Sequence, residues 1–320
     1  MIRYIGKRLL WMIPVMLGIA ILIFSIMYIC PGDPASSLLG PSASAVELAA
    51  KREELGLNDP YLVRLGRYLY QTFIKFDLGT SYKFGTSVFS GLMERMRYTL
   101  VIALLCMGLQ IFIGTPLGIA AATHHNGLMD RVSMFIALVG VSIPAFWLAL
   151  MLVLIFAVNL GWLPTSGVSN GIASFILPCI ANSFAGIASQ ARHTRSSMLE
   201  VIRSDYITTA KAKGLSSRTV LFKHALPNAL IPIITIVGNG MGMMLGGTVI
   251  IENVFAIPGV GRYMTDAITA RDYPVVMGGV LVLGLIFSLI MLLVDIVYAF
   301  VDPRIKAQYE GKKREKKGGA

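Results

Sequence analysis

The run LLWMIPVMLGIAILIFSIMYIC, from Leu9 to Cys30, is 22 residues long and carries no charge. At about 1.5 Å of rise per residue it is long enough to cross an apolar layer about 30 Å thick. No water in such a layer satisfies backbone N–H and C=O groups, so the run is driven to helix. Five further windows share this character, from about Tyr98 to Ala122, Val132 to Leu160, Ile172 to Gln190, Ala229 to Ile251 and Pro274 to Val301. With 55% hydrophobic and only 14% charged residues, the chain belongs to the membrane class. The expected fold is all-α, an integral membrane protein of six transmembrane helices. A cleavable leader is the rival reading of the basic start MIRYIGKR. The apolar run exceeds the usual span of about 7 to 15 residues, and no small-x-small site closes it, so it is read as a retained span.

Charge sets the expected orientation. Six spans put both termini on one side, together with the long segment from Ala191 to Asn228. Seven basic residues lie between Arg192 and Lys223, and seven more follow Val301, which makes that side cytoplasmic. The segment from Pro31 to Arg97 is nearly balanced, with eight basic against seven acidic residues, and is expected outside as a small folded element. The net charge of +11 thus follows topology and does not mark a nucleic-acid face. The expected organisation is residues 1–30 as tail and first span, 31–97 as extracytoplasmic region, 98–301 as a five-helix core, and 302–320 as a basic cytoplasmic tail.

Chemistry is sparse. Cys30, Cys106 and Cys179 fall in or beside different spans without CxxC spacing, and the four histidines, His124, His125, His193 and His224, fall towards the cytoplasmic side. Neither set predicts a metal site. The phosphate-loop, zinc-protease and nucleophile-elbow motifs are absent from the sequence, so no catalytic residue is assigned and the chain is not expected to be an enzyme. Gly238, Gly242 and Gly246 recur every four residues and predict a packing stripe, a device repeated by Gly114 and Gly118 around Pro116, where a local bend is expected. Thr235, Asn239 and Met243 lie on the same stretch and are candidate lining of a polar path. Asp295, about two turns from the end of the last span, is expected to pair with a basic neighbour. Few ionisable groups lie near the midplane, which counts against an ion-coupled carrier and points to another energy source.

One polar stretch stands between apolar runs: DYITTAKAKGLSSRTVLFKHALPN, residues 205–228. Ser204 or Asp205 caps a short helix of about nine residues, and Gly214 ends it. Tyr206, Ala210 and Gly214, four apart, are expected to share a face, with Lys211 and Lys213 holding the element in the cytoplasm. A second helix starts near Ser216 or Ser217 and runs towards Leu226, where Pro227 is expected to break or kink it. An amphipathic connector lying on lipid is the alternative reading.

This stretch resembles the cytoplasmic loop of bacterial binding-protein-dependent ABC importer permeases. Their pattern is E-A-A, three residues, G, nine residues, then I-x-L-P. Aligned on Gly214, Ala210 matches the second Ala, and Leu226 and Pro227 match the closing L-P. Thr208, Thr209 and His224 stand where the general pattern has Glu, Ala and Ile. DYITTAKAKG is similar to the DYxRTARAKG form of the peptide and nickel branch. PGDP at 31–34, LGLNDP at 55–60, DLGTSY at 77–82, ARHTRSSMLEV at 191–201, FAIPGVGR at 255–262, RDYPVV at 271–276 and LLVDIVYAFVDPRI at 292–305 resemble the same branch, in this order.

The resemblance implies a type I importer permease in the bacterial inner membrane, one half of a pore for dipeptides or oligopeptides. A nickel or nickel-chelate importer of the same branch is the alternative. It further implies that residues 203–227 form a coupling segment, with Asp205, Tyr206, Ala210, Lys211, Gly214, Leu226 and Pro227 meeting an ATPase subunit. The implied partners are a second permease chain, two ATPase chains that hold ATP and Mg, and an external binding protein that selects the cargo. No cofactor is expected on this chain. Residues 31–97 would meet the binding protein, and Glu252, Pro258, Gly259, Gly261, Arg271 and Asp272 would belong to the outer gate.

Overall fold

The structure, a computed structural model, describes residues 2–40 and 42–301; the expected basic tail, 302–320, lies outside the described residues. The first apolar run forms α1 (Ile2–Ile29). The next two helices are short, each started by a local cap and followed by a glycine of positive φ, Gly40 and Gly56. Asp33 accepts the Ala35 N–H at 3.2 Å and opens α2 (Pro34–Leu39). Ser44 and Glu47 form a reciprocal capping box that opens α3 (Ala45–Glu54). The following helix, α4 (Tyr61–Phe73), folds back on α1, placing Tyr61 and Tyr68 with ring centroids 5.6 and 5.4 Å from Phe24.

A tight loop, bridged between Thr80 and Ser87, leads into α5 (Val88–Leu109). A π-turn at Gln110–Gly114 joins it to α6 (Thr115–Thr123), and together they make an apolar helix of 36 residues. Such a helix rises about 54 Å, so it outreaches the apolar layer. The expected bend at Pro116 is taken up by the π-turn. The wider turn lies just ahead of the proline, where the ring would otherwise press on the carbonyl four residues back.

The third expected span is not one helix. α7 (Leu128–Ser142) and α8 (Ala145–Leu152) meet at Ile143 and Pro144, and the helical segments on either side of this break cross at 99°. Ile143 is extended, at φ −84° and ψ 122°, as the residue before a proline prefers. A second π-turn, Val153–Asn159, closes this arm.

The next helix, α9 (Ala173–Ile202), is 30 residues long and packs against α5, α6, α7, α8 and, further along the chain, α12. Beyond it lie α10 (Asp205–Ala212), the short α11 (Ser217–Thr219), a π-turn at Val220–Ala225, α12 (Leu226–Val254), α13 (Val260–Ala270) and α14 (Tyr273–Val301). Pro227 neither breaks nor ends the helix here. It is the second residue of α12, where its missing N–H costs little, and the measured bend of 49° falls beside Pro232.

Three described helices are apolar and long enough to cross a membrane unbroken, and up to five crossings result if each bent pair counts as one. The expected fourth span lies in α9. This helix is long enough but more polar, because its buried side carries Ser174, Ser183, Gln190 and Thr194.

Apolar cores succeed one another along the bundle. At one end α13 and α14 pack on the start of α5 through Leu92, Val260, Tyr263 and Val275. In the middle Ile102, Leu177, Ile251 and Phe255 meet. At the other end Ala122, Met198, Ile207, Val220 and Ala229 close the bundle. Gly238 and Gly242 bring α12 close to Val294 and Phe287 of α14, and Gly114 and Gly118 bring the second span onto the α9 backbone at Ile187 and Ala191. Gly246 departs from the expected stripe: it is exposed, with open space where a side chain would stand.

Candidate functional site

The polar stretch after α9 has the expected boundaries, although Ser204 does not cap α10 with its side chain: its Oγ donates back to the Val201 carbonyl at 2.6 Å. Ser204 is extended at φ −74° and ψ 153°, α10 follows, and Gly214 at φ +78° turns the chain out of it. Ser216 then accepts the Thr219 N–H at 3.3 Å and starts the next turn. The two sides of α10 differ sharply. Ile207 is fully buried and Ala210 is 7% exposed, both packed among Met198, Val220, Ala225 and Ala229. Tyr206 is 46% exposed, and Asp205, Thr208, Thr209 and Lys213 share the open side.

The expectation that Tyr206, Ala210 and Gly214 form one exposed face is therefore corrected. A spacing of four aligns Tyr206 with Ala210 only approximately over a two-turn helix, and the apolar Ile207 decides which side turns inward. Leu226 is partly buried against the same core, Pro227 is exposed at its edge, and Lys211 is exposed in the last turn of α10.

A charged clasp braces this end. Arg195 of α9 donates to Asp130 of α7 twice, Nε to Oδ1 at 2.5 Å and Nη2 to Oδ2 at 2.7 Å. The Asn126 N–H also donates to Asp130, and His125 joins the clasp, its Nδ1 3.3 Å from Asp130 Oδ2 and its Nε2 accepting from Arg203 Nη2 at 3.1 Å. The histidine and acid are thus committed to each other and to the two guanidinium groups. No group of three or more possible metal ligands occurs among the described residues.

The opposite end holds two buried carboxylates. Glu252 is fully buried: Oε1 accepts from Thr99 Oγ1 at 2.6 Å, and Oε2 accepts the Arg262 N–H at 3.0 Å. Thr99 Oγ1 in turn accepts the Val260 N–H at 2.9 Å. The pair satisfies orphan donors at the start of α13. Gly259 and Gly261 leave the carboxylate its room, since a side chain at either would strike it.

Asp272, 2% exposed, accepts from Ser81 Oγ at 2.5 Å, from the Tyr82 N–H at 3.0 Å and from the Lys83 N–H at 3.3 Å. Burial pushes the Tyr82 phenol above its ordinary range. Arg271, left-handed at φ +56°, donates to the Pro31 carbonyl, and its guanidinium lies against Gly32 at φ +118°, where no side chain fits. Segments 240 residues apart in sequence are joined here.

Two family profiles match the chain. The one described as "Binding-protein-dependent transport system inner membrane component" covers residues 114–307, and its N-terminal companion, "Binding-prot-dependent transport system membrane comp, N-term", covers residues 1–103. The chain belongs to this family.

Among curated relatives, the permease is 44% identical to the dipeptide transport system permease protein DppB of Alkalihalophilus pseudofirmus, over 96% of this chain and all of that one. It is 41% identical to the glutathione transport system permease protein GsiC of Salmonella typhi, over 96% and 99%. Among solved structures, a chain of the MetNI methionine ABC transporter in inward-facing conformations aligns with a TM-score of 0.55 at 22% identity, over 66% of this chain and 96% of that one. That likeness speaks for the fold alone. Members of the family are transport components, and the permease is one of them.

The sequence motifs now have places. PGDP, DLGTSY and RDYPVV, far apart in the chain, converge around Asp272 and Arg271, and FAIPGVGR wraps over Glu252. ARHTRSSMLEV supplies Arg195 to the clasp. Asp295 receives Arg8 Nη2 at 3.0 Å, the basic neighbour expected of it. Of the candidate path residues, Thr235 is exposed on α12, while the side chains of Asn239 and Met243 lie outside the described residues. Pro258 is exposed in the loop that leads to α13.

One polar group was not foreseen from the sequence. Gln110 in the first π-turn, 2% exposed, donates to Gln190 Oε1 at 3.3 Å, and Gln190 donates to Thr115 at 3.3 Å and Thr194 at 3.4 Å. Gly186 and Gly240 pack directly on the Gln110 amide. Isolated glutamines in apolar windows carry no periodic signal, so only the structure shows that they meet.

Proposed function

We propose that the permease forms half of the membrane pathway of an ATP-driven importer for dipeptides or oligopeptides, and that α10 is its contact with a separate ATPase. The observation that carries this reading is the division of α10. Ile207 and Ala210 lock it into the core formed by α6, α9 and α12, while Asp205, Tyr206, Thr209 and Lys213 stay open. A partner that moved this open face would move α9 and α12 with it, because the buried side is packed and interiors transmit displacement. The family and the dipeptide and glutathione permeases support the transport class.

In this reading α10 and both termini are cytoplasmic, following the basic residues, and residues 31–97 with α13 face outward. The second half of the pathway comes from a related permease chain. ATP and Mg are bound by the ATPase chains, and an external binding protein delivers the cargo to the outer end. Glu252 and Asp272 hold that outer end in shape. The peptide reading is favoured over nickel because the relatives named above carry dipeptide and glutathione in their names.

Reconstitution tests it. The permease, its permease partner and the ATPase pair are placed in liposomes with binding protein, and labelled dipeptide and nickel uptake are measured with and without ATP. ATP-dependent peptide uptake is expected. ATP-dependent nickel uptake without peptide uptake would move the chain to the nickel reading, and uptake driven by an ion gradient without ATP would overturn the importer class.

A further inference from the structure

A cavity of about 480 Å³ opens between α13, the start of α5 and the loop before it. Its charged walls are Lys83, Arg95, Arg262 and Asp266, with Phe84 and Tyr263 between them. The remaining acid at the rim, Asp272, is committed through both oxygens to Ser81, Tyr82 and Lys83. Among the described residues the side chains of Lys83 and Arg262 make no ion pair, and the carboxylate near Arg95 is Glu94, 72% exposed and 3.7 Å away. Three cations against Asp266 and Asp272 leave the lining with an excess of one positive charge, and Lys83 and Arg262 are the cations without an ion pair among the described residues.

Arg95 and Lys83 are also held by their neighbours. Arg95 stacks on Tyr263 with its guanidinium carbon 4.2 Å from the ring centroid, and its Nη1 donates to the Gly91 carbonyl at 2.8 Å. Arg262 donates its own backbone N–H to Glu252 Oε2 at 3.0 Å, which fixes the backbone from which its guanidinium extends. Phe84, 60% exposed, provides an apolar lip beside Lys83, whose Nζ lies 5.3 Å from its ring centroid. A stacked guanidinium and a second one without an ion pair, beside aromatic surface in an open hollow, suit a carboxylate presented on a protruding loop.

We propose that this cavity receives an acidic side chain of the extracytoplasmic binding protein, its carboxylate paired with Arg262 and Arg95 and its loop seated against Phe84. The proposal rests on the importer reading, in which this end of the bundle faces outward. Charge complementarity of this kind raises the encounter rate and sets the register of the two proteins more than it adds affinity.

The test uses the full reconstituted complex and titrates binding protein while ATP hydrolysis is followed. Stimulation of the wild-type complex reports on the importer reading; the variants report on the cavity. Arg262→Glu and Lys83→Glu are each expected to raise the half-stimulating concentration by about tenfold at low salt. Arg262→Lys is expected to stay near wild type. The wild-type value should climb with ionic strength while that of Arg262→Glu stays flat. A lysine replacing one acidic residue on the binding protein should restore Arg262→Glu. Thermal unfolding of each complex keeps folding losses separate, since a misfolded permease would show a lowered transition and no rescue.

An unchanged half-stimulating concentration in both Glu variants would overturn the proposal. So would a change confined to the KM for peptide, which would make the cavity a cargo site, or a change that follows the anionic lipid content of the vesicles, which would make it a headgroup site.

Discussion

Arg195 and Asp130 face each other across α9 and α7 in a two-pronged pair, at 2.5 and 2.7 Å, with Asp130 nearly buried. Removing one partner leaves the other without its counter-charge, which costs more than the pair itself contributes. Arg195→Ala is expected to destabilise the permease by about 3 kcal/mol. The exchange Asp130→Arg with Arg195→Asp should recover part of the loss. Thermal unfolding in detergent measures both, and equal stability of Arg195→Ala and wild type would remove the clasp from the account.

Glu252 and Thr99 act as one cap for α13. Thr99→Val and Glu252→Gln each strand buried donors, and each should cost about 1–3 kcal/mol. Because the two share the α13 start, the double variant should cost less than both losses added. Additive losses in a double-mutant cycle would show that the residues act separately.

Asp295 and Arg8 differ from these. Their side chains are 26% and 51% exposed, so the pair is partly solvated. Asp295→Asn is expected to lower stability by less than about 1 kcal/mol and to leave the pH dependence of uptake unchanged. A lost pH response with normal assembly would assign Asp295 to a proton relay.

The glycines of α12 separate packing from open surface. Gly242→Leu would drive a side chain into Phe287 and is expected to cost about 1–3 kcal/mol, whereas Gly246→Leu meets open space within this chain. Comparing the two by thermal unfolding of the isolated permease checks the α12–α14 contact. Similar losses for both would contradict it.

These cases show what the sequence carries. Uninterrupted apolar length made α1, α5–α6 and α14 readable, because the membrane leaves such runs little alternative to helix. Gly214 marked the end of α10 because a left-handed residue acts locally, while Ser204 marks its start by backbone conformation without a side-chain cap. The 99° break before Pro144 was hidden, since its flanks are as apolar as the rest of the window and only geometry separates a kink from a corner. The expected fourth span caught only the first part of α9, because the helix runs on to Ile202 through polar residues that a hydropathy reading leaves out. Gln110 and Gln190 meet through tertiary packing, and Arg271 and Asp272 together join three motifs whose separation gives no hint of contact. The side of α10 that turns inward was misread because Tyr206 and Ala210 share a spacing, while burial follows Ile207.

The central claim is that the open face of α10 transmits ATP-driven movement. Tyr206→Ala is the direct probe, because it removes an exposed ring without disturbing Ile207 or Ala210, which hold the helix. Binding-protein-stimulated ATP hydrolysis and peptide uptake are measured on the same reconstituted complexes. The account predicts that both fall together, by about tenfold, as loss of an aromatic anchor at an interface of this kind commonly causes, while the permease folds as before. Wild-type hydrolysis and uptake in Tyr206→Ala would contradict it.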